Sequence, residues 1–480
     1  MKRYFLLALL LLPLACSKVS VDEPEQETQP ADQTDYYANL FAFNNMKAYY
    51  LWADEMAEQI SNWTYGDKPI EKVASLRYRD AGGNLVDRWT ELMEDCSSFM
   101  SSVTGNGKTF GMEFVLWGVQ NSNDVVMVVT FTYEGSPARL AGLKRGDVIT
   151  TLDGQTINRD NYVELLTEKI YNYPGTLKLG LRGGSDVQMT AVQMYSNPVH
   201  LAKTLEAGGK KMGYLHFTNF TMDACLALEQ AFRQFKADGI EELVLDLRYN
   251  TGGYSTTAAV LGSMIAPPSV VEEGAVFNKE VYNSTLSSSM SEETRFAKTF
   301  TLTFSNSKQT VNALAANPGI KKLWVITTGH SASASESLIC GLIPYMDVTL
   351  VGSTTYGKFC GGYLITAEDW YDYLAKEDTK IDCAAGKNST EGWGIYVIAS
   401  RYADCNGVTL SMPSGIPVPD DHYAEDSPRD GFDLGDPRES MLAAVLAHAD
   451  GKPLVAAPVK SPAPWQEVPF VKPGEGALLW

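Results

Sequence analysis

The feature that most limits what this chain can become lies between Lys211 and about Asp450, where apolar strands alternate with helices. Gly213–Phe217, Glu242–Leu247, Leu323–Thr327 and Val348–Gly352 are short and rich in Val, Leu and Ile, and read as strands. Met222–Ala237, Thr256–Ile265, Lys308–Ala316 and Ala334–Ile343 carry helical patterns. Strands and helices taken in turn predict an α/β layer fold.

The preceding segments have other periods. From Asp35 to about Met100, apolar residues such as Leu40, Phe43, Met46, Tyr49, Tyr50 and Met56 recur mostly at three- and four-residue steps, which predicts helix. A second helical stretch is expected near Leu85–Met100. From Gly111 to about Val192 the period shortens. Val125–Val129 and Val148–Leu152 read as strands, Asp153-Gly154 as a tight turn, and Tyr162–Tyr171 as a helix. The fold class expected is a mixed α+β, multidomain α/β protein. It has a helical segment over 36–105, a small domain over 106–196, an α/β layered core over 197–450 and a Pro-rich extended tail over 451–480. With 480 residues and 45% hydrophobic content, the chain can bury several cores.

A formal net charge of -19 argues against nucleic-acid partners, which need a basic face. Met1-Lys2-Arg3 followed by apolar Tyr4–Leu14 has the length of a signal peptide, not of a membrane span. The run ends in Leu14-Ala15-Cys16, which resembles a bacterial lipobox, although Pro13 stands where an aliphatic residue is usual. Ordinary secretion, with Cys16 discarded, is the alternative. The resemblance implies a signal peptide over 1–15, acylation at Cys16, and a polar tether over 16–35. The protein is then expected in the cell envelope, lipid-anchored at the outer membrane on its periplasmic or surface face. Cys96, Cys225, Cys340, Cys360, Cys383 and Cys405 are too few for a disulfide scaffold. Cys383 and Cys405 flank one expected hairpin and are the first candidates for a bridge. No Cys-x-x-Cys spacing or His cluster suggests a metal, and no cofactor is expected.

Three segments carry chemistry. Thr327 to Leu338, with the run Ser331-Ala332-Ser333-Ala334-Ser335-Glu336, leaves an apolar strand and opens an apolar helix. A serine there is exposed beside helix N-terminal amides that can hold an oxyanion. The same residues also suit a plain helix cap followed by small packing residues. Val351 to Lys358 ends a buried strand in a glycine turn and a lysine. That lysine is either a solvated loop charge or, if desolvated, a base. Leu243 to Gly253 runs a buried strand into Gly252-Gly253, whose amides can form an anion nest or simply a turn.

Together, in this order, the three segments resemble the tail-specific, C-terminal processing serine peptidases (S41-type). That family carries D-L-R-x-N-x-G-G, then S-A-S-A-S-E, then G-K. The resemblance implies Ser333 as nucleophile, Lys358 as base, and oxyanion amides at Ala334 and at Gly252 or Gly253. It extends to Gly415–Asp420 and Leu434–Pro437. Gly135–Gly154 resembles the second half of a bacterial PDZ domain. Phe110-Gly111-Met112-Glu113-Phe114 resembles its carboxylate-binding loop, and implies capture of polypeptide C-termini. The chain's own apolar end, Gly476–Trp480, is a candidate occupant of that groove. Many relatives place a glutamine four residues after the lysine, where Gly362 stands here. Ser353, Thr354, Thr355 and main-chain carbonyls are then the expected groups to orient Lys358. The implied function is serine endopeptidase action by a Ser–Lys dyad. A non-hydrolytic, peptide-binding lipoprotein of the same fold is the alternative.

Overall fold

The computed structural model describes residues 33–172, 175–304, 307–377, 379–452 and 465–469. The predicted leader, Cys16, the tether to residue 32 and Gly476–Trp480 lie outside them. Among the described residues no helix is long and apolar enough to cross a membrane.

The fold is mixed helix and sheet. Its central sheet runs in the order Val199–Ala207, Lys210–Phe217, Glu242–Asp246, Lys322–Thr327, Asp347–Gly352. The first pair is antiparallel and the others are parallel. Side chains alternate between two buried faces, which explains the continuous apolar runs. Leu243, Leu245 and Val325 face the helices Ala224–Asp238, Ser255–Ile265 and Ala334–Leu342. Val244, Trp324 and Ile326 face Met441, Leu442 and Val445 of the helix Ser440–Ala449. Because Glu242–Asp246, Lys322–Thr327 and Asp347–Gly352 are parallel, the segments after them leave one edge of the sheet together. Those segments are the three motifs. Crevices at the carboxyl ends of parallel strands are where such sheets place ligands.

A second sheet centres on Gly394–Ala403, with Glu91–Met93, Val276–Tyr282 and Cys360–Thr366 pairing against it. The helix Gln33–Tyr49 shares one hydrophobic cluster with it, including Tyr37, Phe41, Tyr371, Ile395 and Val397. The stretch Leu85–Met100 is not the helix its apolar content predicts. Asp87 accepts the amides of Trp89 and Thr90, both at 3.0 Å, and turns the chain out of helix. Glu91–Met93 then pairs with the distant strand, and only Ser97–Thr104 is helical.

Two further expectations are corrected. Lys308–Ala316 is mostly strand: Ser307–Val311 pairs antiparallel with Phe300–Phe304, placing Thr310 opposite Thr301 and Val311 opposite Phe300. Cross-strand pairing of β-branched residues overrides the helical pattern, leaving only Ala313–Ala316 as helix. Cys383 and Cys405 are free thiols. They do not flank a hairpin: the ten-residue strand Gly394–Ala403 lies between them, a length of roughly 30 Å at ~3.3 Å per residue.

The PDZ-like unit is an antiparallel sheet in which Met112–Val119, Val125–Thr132, Val148–Leu152, Thr176–Leu181 and Val187–Thr190 are neighbours in turn. The predicted helix Tyr162–Tyr171 appears as Tyr162–Leu166 followed by a wider turn, Thr167–Asn172. A strand from the tail, Trp465–Glu467, adds to the outer edge of Met112–Val119. This unit joins the core through buried charge. Arg145 donates to Tyr249 Oη at 2.9 Å and to Asp426 Oδ1 at 2.8 Å. Arg248 meets Glu439 Oε1 at 2.6 Å and Asp246 Oδ2 at 2.7 Å.

Candidate active site

Ser333 stands at the junction of Lys322–Thr327 with the helix Ala334–Leu342, at φ 55° and ψ -113°. A non-glycine residue held there costs roughly 1–3 kcal/mol and persists only where neighbours over-determine it. Those neighbours are present. Ser331 Oγ donates to Leu247 O at 2.8 Å, and Ser335 Oγ to Asn250 O at 3.0 Å. The Ala332 amide also reaches Asn250 O, at 3.1 Å. The two flanking serines thus stitch the turn to the segment after Asp246. Of the three serines in the run, Ser333 alone lines a cleft of about 180 Å³.

Gly252 and Gly253 reach the same place. A Cβ on Gly252 would lie 2.7 Å from Ser333 Cβ and 3.1 Å from Ala334 N, so only glycine allows this approach. The Gly252 amide, however, donates to Asn250 Oδ1 at 2.9 Å. Gly253 lines the cleft, and Ala334 carries the first amide of its helix, which has no acceptor within the helix. Ala334 and Gly253 thus line the cleft together with Ser333, while the Gly252 amide is taken up by Asn250.

Lys358 comes after the turn Gly352–Gly357 and is fully buried. Its Nζ lies 5.4 Å from the Trp89 ring centre and 5.1 Å from that of Tyr396. Burial lowers its pKa to about 8, against smaller upward pulls from Cys360, Asp87 and Glu336. Ser333 and Lys358 are locked to one another through their backbones. Glu336 Oε2 accepts the amides of Ser333 at 3.0 Å and Lys358 at 2.9 Å, while its Oε1 accepts the Gly357 amide at 2.8 Å. Thr355 Oγ1 donates to the same Oε1 at 2.6 Å. Burial pushes the Glu336 carboxyl up to about 7, and these four donors hold it lower than burial alone would. Tyr402 Oη adds a second tie. It donates to Lys358 O at 2.5 Å and lies 3.2 Å from Ser333 O.

One expectation needs adjusting. Thr355 does not present its hydroxyl to the amine: Oγ1 donates to Glu336 and accepts the Ile416 amide at 2.6 Å. Gly362 has no room for glutamine, since a Cβ would meet Val397 O at 2.6 Å and Tyr396 Cζ at 2.8 Å. Tyr396 thus fills the space beside position 362 and also faces the amine. Cys360 is a packed thiol whose pKa burial raises. His330 Nε2 lies 3.0 Å from Glu467 Oε1 of the tail strand. Glu336 was legible as a helix signal, because an acid three residues after a capping serine is a known pattern. Trp89 and Tyr396 had no sequence signal.

In the PDZ-like unit, Phe110 is buried, and its carbonyl accepts the Ala138 amide at 3.0 Å. Gly111, at φ 70°, accepts the Tyr133 amide at 3.0 Å through its carbonyl. A Cβ there would meet Ser136 Cβ at 2.3 Å. Its own amide donates to Thr109 Oγ1 at 3.0 Å. Met112, Glu113 and Phe114 begin the edge strand.

Comparison with known proteins agrees with this architecture. Residues 211–409 match the model of peptidase family S41, and residues 128–169 match a PDZ domain. A probable CtpA-like serine protease of Staphylococcus aureus is 26% identical over 316 residues, 64% of this chain and 55% of that protein. The carboxy-terminal processing protease CtpA of Bacillus subtilis is 22% identical over 320 residues, 66% of this chain and 60% of that protein. The chain thus aligns with little more than half the length of these relatives. A crystal structure from Bacteroides fragilis, described as S41-type, superposes with TM-score 0.62 and 21% identity over 90% of this chain and 99% of that one. That likeness concerns the fold alone.

Proposed function

We propose that this chain, which carries a peptidase family S41 domain and a PDZ domain, is a serine endopeptidase of the C-terminal processing type. The observation that carries the reading is the strained turn that sets Ser333 in a cleft lined by Ala334 and Gly253 and ties its backbone through Glu336 to that of a buried lysine. Neutral Lys358 takes the proton of Ser333 Oγ, and the oxygen attacks a peptide carbonyl. The carbonyl oxygen gains negative charge and rests on the amides of Ala334 and Gly253. The leaving amine takes the proton back from Lys358. Water then attacks the acyl-enzyme while Lys358 accepts its proton, and Lys358 returns that proton to Ser333 Oγ as the ester bond breaks, freeing the serine and a new carboxylate. Phe99, Met100, Tyr363 and Leu364 give the cleft an apolar wall, which suits an apolar substrate side chain.

The loop Phe110–Phe114 and the edge strand Met112–Val119 would take the substrate chain by strand addition, with preference for free C-termini. An acyl group on Cys16 would hold the enzyme at the outer membrane. Replacing Cys16 with Ala should move the protein out of the membrane fraction.

The deciding experiment pairs a fluorophosphonate probe with mass spectrometry of cleaved peptides. The expected result is a label on Ser333 and new peptide termini, both lost in Ser333→Ala. A folded protein that takes no label and cuts no peptide is a peptide-binding relative instead.

A further inference from the structure

The groove between the edge strand Met112–Val119 and the helix Tyr162–Leu166 already holds a piece of this chain. Trp465 stands opposite Val119, Gln466 opposite Gly118 and Glu467 opposite Trp117, in antiparallel register. The Val468 amide donates to Leu116 O at 2.9 Å. Val468 is buried in the cluster formed by Phe110, Met112, Leu116, Leu165 and Leu166. From the helix side, Tyr162 Oη donates to Pro469 O at 3.2 Å. The segment runs toward the loop Phe110–Phe114, the direction an added peptide strand would take to bring its end there. It also reaches the peptidase core, because Glu467 Oε1 lies 3.0 Å from His330 Nε2, on the loop entering Ser333. Five residues therefore touch both the strand edge and the approach to the serine.

We propose that residues 465–469 are the resident ligand of this groove, and that polypeptides reaching the edge compete with them. The competition rests on the reading of the groove as the peptide site. The segment also states what the groove accepts. It takes extended main chain, an apolar side chain at the place of Val468, and an acid just before it facing His330. A terminal carboxylate is not required, because the sequence continues from Pro469 to Trp480. Pro469 has no amide to extend the ladder, which fits pairing that ends at Leu116. An intramolecular occupant lowers the apparent affinity for any competitor by the fraction of time the groove is filled.

The test uses the full chain and its Val468→Asp variant, which places a charge in the apolar pocket without touching the catalytic machinery. Hydrogen exchange over residues 112–119 reads docking directly. Anisotropy of a labelled peptide with the sequence of residues 462–471 reads whether the groove is vacant. The expected result is faster exchange in the variant and peptide binding at least about tenfold tighter than to the unaltered chain. An apolar peptide with a free C-terminus should displace the label. Unchanged exchange in Val468→Asp overturns the docking. Faster exchange with equal peptide affinity overturns the claim that the groove's occupant competes. Tight binding of the labelled peptide that no terminal peptide displaces keeps the resident ligand and removes the groove as the substrate site.

Discussion

Lys358 and Arg248 are both cations with no solvent exposure, and each lies just beyond the end of a strand of one sheet. Burial costs each of them the hydration of its charge, yet the outcomes are opposite. Around Arg248, burial lowers the pKa, but the carboxylates of Asp246, Glu439 and Asp426 outweigh it and raise it well above its ordinary value. Around Lys358, burial dominates, and the amine is left near the point where it sheds its proton. The walls differ accordingly: carboxylate oxygens at 2.6–3.0 Å for Arg248, and indole and phenol rings for Lys358. A buried cation ringed by carboxylates keeps its proton and fixes structure, whereas one whose burial outweighs its neighbouring charges is drawn toward the neutral form that chemistry can use.

The largest effect expected from this contrast is on catalysis. Ser333→Ala and Lys358→Ala should each cut peptide hydrolysis at least about a thousandfold, and the double variant should be little worse than either. Retained activity in Lys358→Ala would place that lysine with Arg248, as structure only. Next comes stability. Arg248→Met leaves carboxylates buried without their partner and should cost about 3–5 kcal/mol in chemical denaturation. Lys358→Met should do the reverse. A fall from 10.5 to about 8 corresponds to roughly 3 kcal/mol of strain at neutral pH, which the methionine removes. The sign comes from linkage. Between pH 8 and 10.5 the unfolded chain holds the extra proton, so the unaltered protein gains stability as pH rises through that window. The advantage of Lys358→Met is therefore full below pH 8 and fades above it. A loss of stability in Lys358→Met at pH 7 would show that the interactions of the amine outweigh its burial, as they do for Arg248.

Gly362 sharpens the contrast on a smaller scale. Gly362→Gln must push Tyr396 and the Val397 carbonyl aside, and overpacking of this kind costs about 1–3 kcal/mol. Activity should fall with it, because Tyr396 walls the amine. The combination with Tyr396→Ala should recover part of the loss. A Gly362→Gln variant more active than the parent would mean that the amine lacks an adequate partner.

How much of this was legible depended on range. The three motifs were readable because each is local: a strand, a turn and the first residues of the next element. Parallel pairing then brings them together without further instruction. What was missed depends on partners far away in sequence. Glu91–Met93 is a strand because it pairs with Gly394–Tyr396. Ser307–Val311 is a strand because Phe300–Phe304 offers a register. The walls of the lysine pocket come from Trp89 and Tyr396, which ordinary aromatic packing would equally explain. Thr355 was one of several groups expected to aim the amine, but its hydroxyl is drawn to the buried Glu336, where an unsatisfied carboxylate would cost more.

The smallest effect concerns how the two titrating groups of the site combine. In the proposed mechanism hydrolysis needs neutral Lys358, so the rate should fall about tenfold per pH unit below roughly 8. Glu336 adds a second requirement. Its carboxylate accepts three main-chain amides and the Thr355 hydroxyl, and a proton on it removes an acceptor that at least one of them needs. With its pKa near 7, the acid limb should steepen below that point toward about a hundredfold per unit, since two protons then inactivate. In Glu336→Gln the second proton is gone, so the limb should return to single-proton steepness on a lower plateau. Its midpoint should also move to lower pH by less than about one unit. Glu336 is one of the groups that raise the lysine pKa, while Asp87 and Cys360 continue to raise it and Arg88 to lower it. A single-proton limb in the unaltered enzyme down to pH 5 would show that Glu336 stays ionised throughout. The lysine would then be the one group of this site that burial has brought within reach of its proton.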